Sequence, residues 1–282
     1  ALDRYRDARR ADPSHVRAMM GEATALLRMG QAAEARPLVE HLVLLASEDI
    51  ETLMLAAAVR AESGDPAAAL ATLDTARRVA PMRADVHQHM GDIARRLGDL
   101  EGAITAYRHA LALDPHYAVV RLHLARVLME KRQLREAEEE LLAALDAVPT
   151  YADALLELAS LRRATGRADD ALPLLIDLLT ADPYHFDALI ALGETLLALG
   201  RKGDAVHAFT RVLRFDPDHV GALYHDGVQL AEQHRFREAM ERWQRVIALA
   251  PASDYARRAR REMRSATDLQ RIFAERIREG AR

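Results

Sequence analysis

The sequence predicts an all-α fold, a solenoid of antiparallel helix pairs built on a 34-residue repeat. Alanine and leucine abound and aromatic residues make up only 5% of the 282 residues, a composition that favours helices over strands. Self-similarity at this period is typical of arrays in which each unit packs only on its neighbours. The period itself is set by six prolines, each 34 residues after the last: Pro81, Pro115, Pro149, Pro183, Pro217 and Pro251.

The prolines divide the chain into units when each is placed at position 32. Residues 1–15 then form the second helix of a truncated N-terminal unit. Residues 254–282 break the repeat. Between them lie seven full units: 16–49, 50–83, 84–117, 118–151, 152–185, 186–219 and 220–253.

Within each unit, small and large residues alternate in a way that predicts a helix hairpin. Position 20 is alanine in all seven units, and position 8 is always alanine or glycine. Two helix backbones approach closely at such small residues, and a bulky side chain fills the space beside the contact. Position 24 supplies that side chain: Val39, Leu73, Tyr107, Leu141, Leu175, Phe209 and Trp243.

The turn inside each hairpin falls at position 15, which is glycine in five units. Glycine suits this place because a residue in the left-handed conformation commonly ends a helix. Arg132 and His234 replace it in the fourth and seventh units. Since side chains rarely adopt that conformation, we expect these two turns to be strained or differently shaped.

Together, the small residues at positions 8, 20 and 27, the bulky residue at 24 and the proline at 32 resemble the tetratricopeptide repeat family. The resemblance covers the chain up to about residue 253. It implies a right-handed superhelix whose concave groove is lined by the first helices, and a role in holding protein partners. Two specialised groups of the family, the chaperone-binding clamps and the sugar-transferase arrays, depend on groove asparagines. The chain contains no asparagine, which argues against both.

The groove face of a first helix carries positions 2, 5, 9, 12 and 13, opposite the packed stripe. Its arginines (95, 96, 126 and 163) would suit acidic side chains or a terminal carboxylate, or would pair with neighbouring carboxylates in a solvated network. Its apolar side chains would contact a peptide if half-exposed, or pack between helices; both alternatives stay open. The candidate partner-binding residues are Asp85, Gln88, Asp92, Arg95, Arg96, Leu122, Arg126, Met129, Glu130, Leu156, Arg163, Ile190 and Tyr224.

The sequence contains no motif that indicates a catalytic site. Absence of cysteine excludes disulfides and thiolate chemistry. No phosphate-binding loop, nucleophile elbow or His-Glu-x-x-His pair occurs, and the twelve histidines are expected on the surface or in the groove. We therefore expect no catalytic residue, metal or cofactor. The net charge of −4 does not favour nucleic acid, and no apolar run approaches the ~18–20 residues that span a bilayer.

The segment after the repeats, residues 254–282, is predicted to be a basic capping helix. It carries nine arginines against five acidic residues. Arrays need a polar cap over their last unit. The alternative is a docking helix for an acidic partner or an anionic membrane surface. Apolar residues recur along it at helical spacing: Tyr255, Ala259, Met263, Ala266, Leu269, Ile272, Phe273 and Ile277.

The function predicted from these features is that of a scaffold or adaptor binding a peptide or protein in the groove. Thirty-seven arginines against two lysines suggest a GC-rich, bacterial coding sequence. The cytoplasm is the expected compartment, although the periplasm also accepts a cysteine-free chain. One rival function is the regulatory or substrate-recruiting arm of a larger enzyme or of a secretion or assembly machine, because the chain opens in mid-repeat. Self-association through the open N-terminal half-repeat is the other.

Overall fold

A computed structural model describes the backbone of residues 2–280 and the side chains up to residue 268. Ala1 of the predicted half-unit and the apolar side chains of Leu269, Ile272, Phe273 and Ile277 lie outside the described residues. The described part is an all-α helical repeat solenoid, as predicted. Its helices are α1 (Leu2–Ala11), α2 (Val16–Arg28), α3 (Ala32–Leu45), α4 (Ile50–Glu62), α5 (Pro66–Val79), α6 (Ala84–Arg96), α7 (Leu100–Leu113), α8 (Ala118–Glu130), α9 (Leu134–Ala147), α10 (Ala152–Ala164), α11 (Ala168–Ala181), α12 (Phe186–Ala198), α13 (Lys202–Phe215), α14 (Val220–Glu232), α15 (Phe236–Leu249) and α16 (Asp254–Gly280).

The chain forms two compact units, Ala1–Pro149 with α1–α9 and Thr150–Arg282 with α10–α16. In both, the even-numbered helices from α2 to α14 are the first helices of hairpins. Each begins at the residue with which a 34-residue unit starts, and each packs on the helix that follows it.

The hairpins close where a residue at position 8 meets the bulky residue at position 24. A Cβ atom built on Gly91 would lie 2.5 Å from Cε1 of Tyr107, and one on Gly193 would lie 2.4 Å from Cε1 of Phe209. No side chain fits at such distances, so the aromatic ring itself requires glycine. The alanines at position 20 are fully buried, as close helix packing demands.

The turns without glycine keep the shape of the others. Arg132 has a φ of 64° and His234 a φ of 61°, against 73° for Gly30. The same hydrogen bond closes them: Gln133 N donates to Leu128 O at 2.9 Å, just as Gln31 N donates to Leu26 O. Of the two expected alternatives, strain or a different shape, the structure shows the first: both side chains adopt the left-handed conformation, in turns closed by the same hydrogen bond as the glycine turns.

The last helix, α16, continues the array beyond the seventh unit. Its buried residues Ala256, Ala259 and Ala266 pack in one cluster with Leu223 of α14 and Trp243 of α15. Small residues let α16 lie close to both helices. The cluster would otherwise be open to solvent, so α16 covers the apolar end of the seventh unit.

Candidate functional site

A pocket of about 430 Å³ opens on the side of α2, α4 and α6 that carries positions 9, 12 and 13, and this side of the first helices is named the inner face. Its floor is apolar and comes largely from α4, with Met54, Ala58 and Ala61. Position 9 of the second unit is Ala58, whereas the third unit has Asp92 at that position. The short alanine side chain leaves the recess unfilled.

The rim of this pocket is polar. Arg96 of α6 forms an ion pair with Glu62 of α4, with Nη1 2.6 Å from Oε1. His89 and Asp92 of α6 line the same edge. An apolar side chain entering the pocket would thus pass between a cation and carboxylates, a mixture typical of specific ligand sites.

Asp92 is the centre of a hydrogen-bonded cluster. The Tyr107 hydroxyl donates to its Oδ1 at 2.7 Å, and Nδ1 of His123 lies 2.8 Å from the same oxygen. Burial by itself raises the pKa of the Asp92 carboxyl, but these two hydrogen bonds outweigh it and lower the pKa. Burial and the carboxylate together raise the pKa of the Tyr107 hydroxyl, which stays a donor. The Asp92 cluster is defined here as Asp92, Tyr107 and His123, and it joins α6, α7 and α8.

Glu194 is the centre of a second cluster, in the other unit. Arg163 of α10 contacts its Oε2 at 2.7 Å, Nε2 of His225 of α14 lies 3.2 Å from Oε1, and the Tyr255 hydroxyl of α16 donates to Oε1 at 3.1 Å. Phe209 stacks on the His225 ring with centroids 4.2 Å apart. These four polar residues are named the Glu194 cluster, and they join four helices.

Three of the four predicted groove arginines are paired with acidic residues: Arg95, Arg96 and Arg163. Arg95 lies 3.1 Å from Glu130, and Arg163 is held by Glu194. Arg126 is half-buried and has interactions of its own. Of the two alternatives, these contacts favour the paired network over an empty cationic cradle.

The remaining candidates are divided between half-buried and buried positions. Asp85 accepts from Arg83 at 2.5 Å, and Gln88 accepts from the Tyr117 hydroxyl. Met129 and Leu156 are half-buried. The half-exposed alternative fails for three position-5 side chains, because they pack between neighbouring helices and are at most 7% exposed: Leu122, Ile190 and Tyr224. Whether any candidate binds a partner stays a prediction.

The histidines of both clusters escaped the sequence reasoning. His123 follows Asp92 by 31 residues, and His225 follows Glu194 by 31 residues. That spacing is one period less three residues, so position 6 of one first helix faces position 9 of the preceding one. A search for acid–histidine pairs 31 residues apart would have found this pairing.

Neither cluster has the composition of a metal or membrane site. Among the described side chains there is no group of three or more His, Cys, Asp or Glu residues placed to hold a metal ion. Of the described helices, none combines the length and the apolar character needed to cross a membrane.

Comparison with known families gives matches over most of the chain. One model described as tetratricopeptide repeat matches residues 94–161 and 162–227, and another with the same description matches residues 1–44 and 55–118. Comparison with curated proteins found no match.

Several solved structures are similar. A tetratricopeptide repeat protein from Parabacteroides merdae is 12% identical with a TM-score of 0.70, covering 89% of this chain and 98% of its own. Yeast Tom70 is 15% identical with a TM-score of 0.71, covering 99% of this chain and 61% of its own. PilW, described as a widely conserved type IV pilus biogenesis factor, is 19% identical with a TM-score of 0.62, covering 72% and 94%. At these identities the likeness concerns the fold.

Proposed function

The chain belongs to the tetratricopeptide repeat family, and on that premise we propose that it is a scaffold that binds a peptide segment of a partner protein on the inner face of α2, α4 and α6. Members of this family are in general protein–protein interaction scaffolds without enzymatic activity. The observation that carries the proposal is the pocket of about 430 Å³ with its alanine floor.

The pocket favours a peptide with one apolar anchor side chain. Its volume falls within the ~300–1,000 Å³ typical of ligand sites. Met54 and Ala61 would contact the anchor, and a buried anchor in a desolvated pocket supplies most of the affinity at many interfaces.

The rim favours charged residues beside that anchor. Glu62 and Arg96 are both about half exposed, so their ion pair contributes only ~0–1 kcal/mol and can be exchanged for pairs with a ligand. The arginine would bind a carboxylate of the peptide, and Glu62 and Asp92 would bind a basic residue.

The inner face of the other unit is less suited to the same role. Arg163 and Glu194 already satisfy one another there, and the Tyr255 side chain occupies the space beside them. A peptide would have to displace these contacts, which leaves buried charge unpaired.

The test fills the pocket without disturbing the core. Peptides selected from a random phage-displayed library on the wild-type chain are measured by calorimetry against A58F, in which the floor residue Ala58 is enlarged. The matched control is A71F, which enlarges an exposed alanine of α5 outside the pocket. We expect A58F to weaken binding by about tenfold or more, equivalent to ~1.4 kcal/mol, and A71F to leave it unchanged. Selected peptides that bind A58F as tightly as wild type would refute this site.

Self-association is a second candidate, favoured by an apolar cleft of about 680 Å³ between α1 and α2. Met29 on its edge is 61% exposed, and Tyr5 lines it. Exposed apolar patches of this kind mark interaction sites. Light scattering should detect an oligomer that M29E dissociates and that L97E, at another exposed apolar residue, does not; a wild-type monomer at high concentration rules it out. That the chain is the recruiting arm of a larger machine, and that it lies in the cytoplasm, stay predictions.

A further inference from the structure

Helix α16 occupies the place of the first helix of an eighth unit. Ala256, Ala259 and Ala266 are buried in the cluster formed with α14 and α15. They lie at positions 3, 6 and 13 counted from Asp254, and in full units position 3 is likewise buried, for example Ala222 at 0% exposure. The helix therefore keeps the register of the repeat on the side that faces the seventh unit.

The side of α16 that would receive a second helix carries arginine at four positions. In a full unit, positions 4, 7, 8 and 11 pack on the second helix; in the seventh unit Leu223 and Leu230 at positions 4 and 11 are buried with Trp243 of α15. In α16 the same four positions are all arginine, and all are exposed: Arg257, Arg260, Arg261 and Arg264. These four residues are named the arginine stripe.

Beside the arginine stripe lies a recess of about 700 Å³ between α15 and α16. Ile247 and Met263 line it with apolar side chains, and its polar lining consists of two arginines, one threonine and one carboxylate: Arg260, Arg264, Thr267 and Asp268. In a full unit, the corresponding place beside the first helix is taken by the apolar residues of the second helix. The arginine stripe thus borders an apolar recess of the kind that binds the apolar face of an amphipathic helix.

The charges of the stripe are only partly neutralised. Arg257 lies 3.1 Å from Asp254, and Arg260 donates to Pro251 O at 3.0 Å. Arg261 and Arg264 form no ion pair with any residue whose side chain the structure describes. Like charges three and four residues apart on a helix repel one another. A cap that only faces solvent needs polar residues of any charge. Elsewhere in the chain, residues at this spacing carry opposite charges, as Arg135 and Glu139 do on α9.

We propose that the arginine stripe and its recess bind an acidic amphipathic helix of a partner protein, which packs on α16 as a second helix packs on the first helix of a full unit. An anionic membrane suits the geometry less well, because α16 buries its described alanines against the protein instead of presenting them to lipid. The surface is separate from the peptide pocket of the proposed function, so either can fail alone.

The test uses an acidic second helix from the chain itself as the probe. A fluorescein-labelled peptide with the sequence of α9, Leu134–Ala147, contains four glutamates and one aspartate against one arginine. We expect it to bind the full chain in a fluorescence anisotropy titration, with affinity falling as salt screens the charges. A peptide with Glu138, Glu139 and Glu140 replaced by lysine should not bind.

Charge reversal on the stripe gives the decisive comparison. R261E/R264E should weaken binding of the α9 peptide about tenfold or more, and R261Q/R264Q by a smaller factor, each with unchanged circular dichroism. The control R78E/R135E makes the same change of charge at exposed arginines of α5 and α9 and should bind as wild type does.

Three outcomes would overturn the proposal. They are no binding of the α9 peptide, equal binding by R261E/R264E, and binding of phosphatidylserine vesicles without binding of the peptide. The last would assign the stripe to a membrane surface.

Discussion

The Asp92 cluster and the Glu194 cluster use the same repeat positions but connect different sets of helices. Both carboxylates occupy position 9 of a first helix, and both meet a histidine at position 6 of the next. Asp92 accepts a hydrogen bond from the hydroxyl of Tyr107, which occupies position 24 of the same unit. Position 24 beside Glu194 is Phe209, which has no hydroxyl, and the phenol comes instead from Tyr255 of α16.

That difference has a structural consequence. The Asp92 cluster joins three consecutive helices, which the repeat already holds together. The Glu194 cluster adds Arg163 and ties α16 to α12 across α14. With phenylalanine at position 24, the hydroxyl that bonds to Glu194 comes from Tyr255 of α16. The same polar cluster therefore holds the terminal helix in place.

The largest loss in the free energy of unfolding is expected when either carboxylate is removed. E194A should lower the free energy of unfolding by about 3 kcal/mol, because it leaves Arg163 and the 8%-exposed His225 without their anion. D92A should cost about 1–2 kcal/mol, since the Asp92 side chain is more exposed and has no cationic arginine of this kind.

Urea denaturation followed by the fluorescence of Trp243, the single tryptophan, reports on E194A, and circular dichroism reports on D92A. The control E232A breaks an exposed ion pair with Lys202 and should cost at most about 0.5 kcal/mol. A larger loss for D92A than for E194A would reverse the comparison.

Acidification should weaken the Glu194 cluster to a lesser degree than E194A does. Burial alone raises the pKa of Glu194, but the hydrogen bond from His225 and the charge of Arg163 outweigh it, so the folded pKa lies below the ordinary value of 4.5. The unfolded chain then binds the proton more readily, and stability is complete above pH 4.5 and is lost as pH falls through the lower, folded pKa.

Urea titrations at neutral pH and at about pH 3.5 measure this loss in wild type and in E194Q. The variant lacks the ionisable group and should lose less stability over the same interval. Equal losses would mean that Glu194 does not contribute to the acid sensitivity.

Removal of the Tyr255 hydroxyl and removal of the Tyr107 hydroxyl should destabilise different helices. Y255F and Y107F each remove one hydrogen bond to a carboxylate and should each cost about 1–2 kcal/mol. Hydrogen exchange should quicken in the first turns of α16 for Y255F, and only in α6–α8 for Y107F. Unchanged exchange in α16 would show that Tyr255 does not fasten this helix.

The smallest expected effect is a rescue. If position 24 is equivalent in both units, F209Y places a hydroxyl near Glu194 as Tyr107 does near Asp92. In the Y255F background it should restore about 0.5–1 kcal/mol, measured by urea denaturation against Y255F alone. The rings sit differently, since Phe209 lies parallel to His225 whereas Tyr107 meets His123 at 66°. Absence of any rescue would show that this tilt, and not only the hydroxyl, separates the two clusters.

Much of the fold could be predicted because it depends on local spacing. Glycine at position 15, proline at 32 and small residues at 8 and 20 act through backbone geometry and close packing, which residue size alone reveals. For the Arg132 and His234 turns the sequence left two alternatives open, strain or a different shape, and only the structure shows that the closing hydrogen bond keeps the shape of the glycine turns. The site was harder to predict, because burial at position 5 depends on the size of neighbours from other units.

The sequence by itself determined the period, the hairpins and the family, since each follows from contacts within 34 residues. Only the tertiary structure decided that Ala58 leaves a pocket, that Asp92 and Glu194 each meet a histidine of the next unit, and that α16 exposes arginines at the positions that pack on a second helix in full units. These features arise between units, where position 9 of one helix faces position 6 of another. Pairings of this kind depend on how helices stack in space, and residue order along one helix does not contain them.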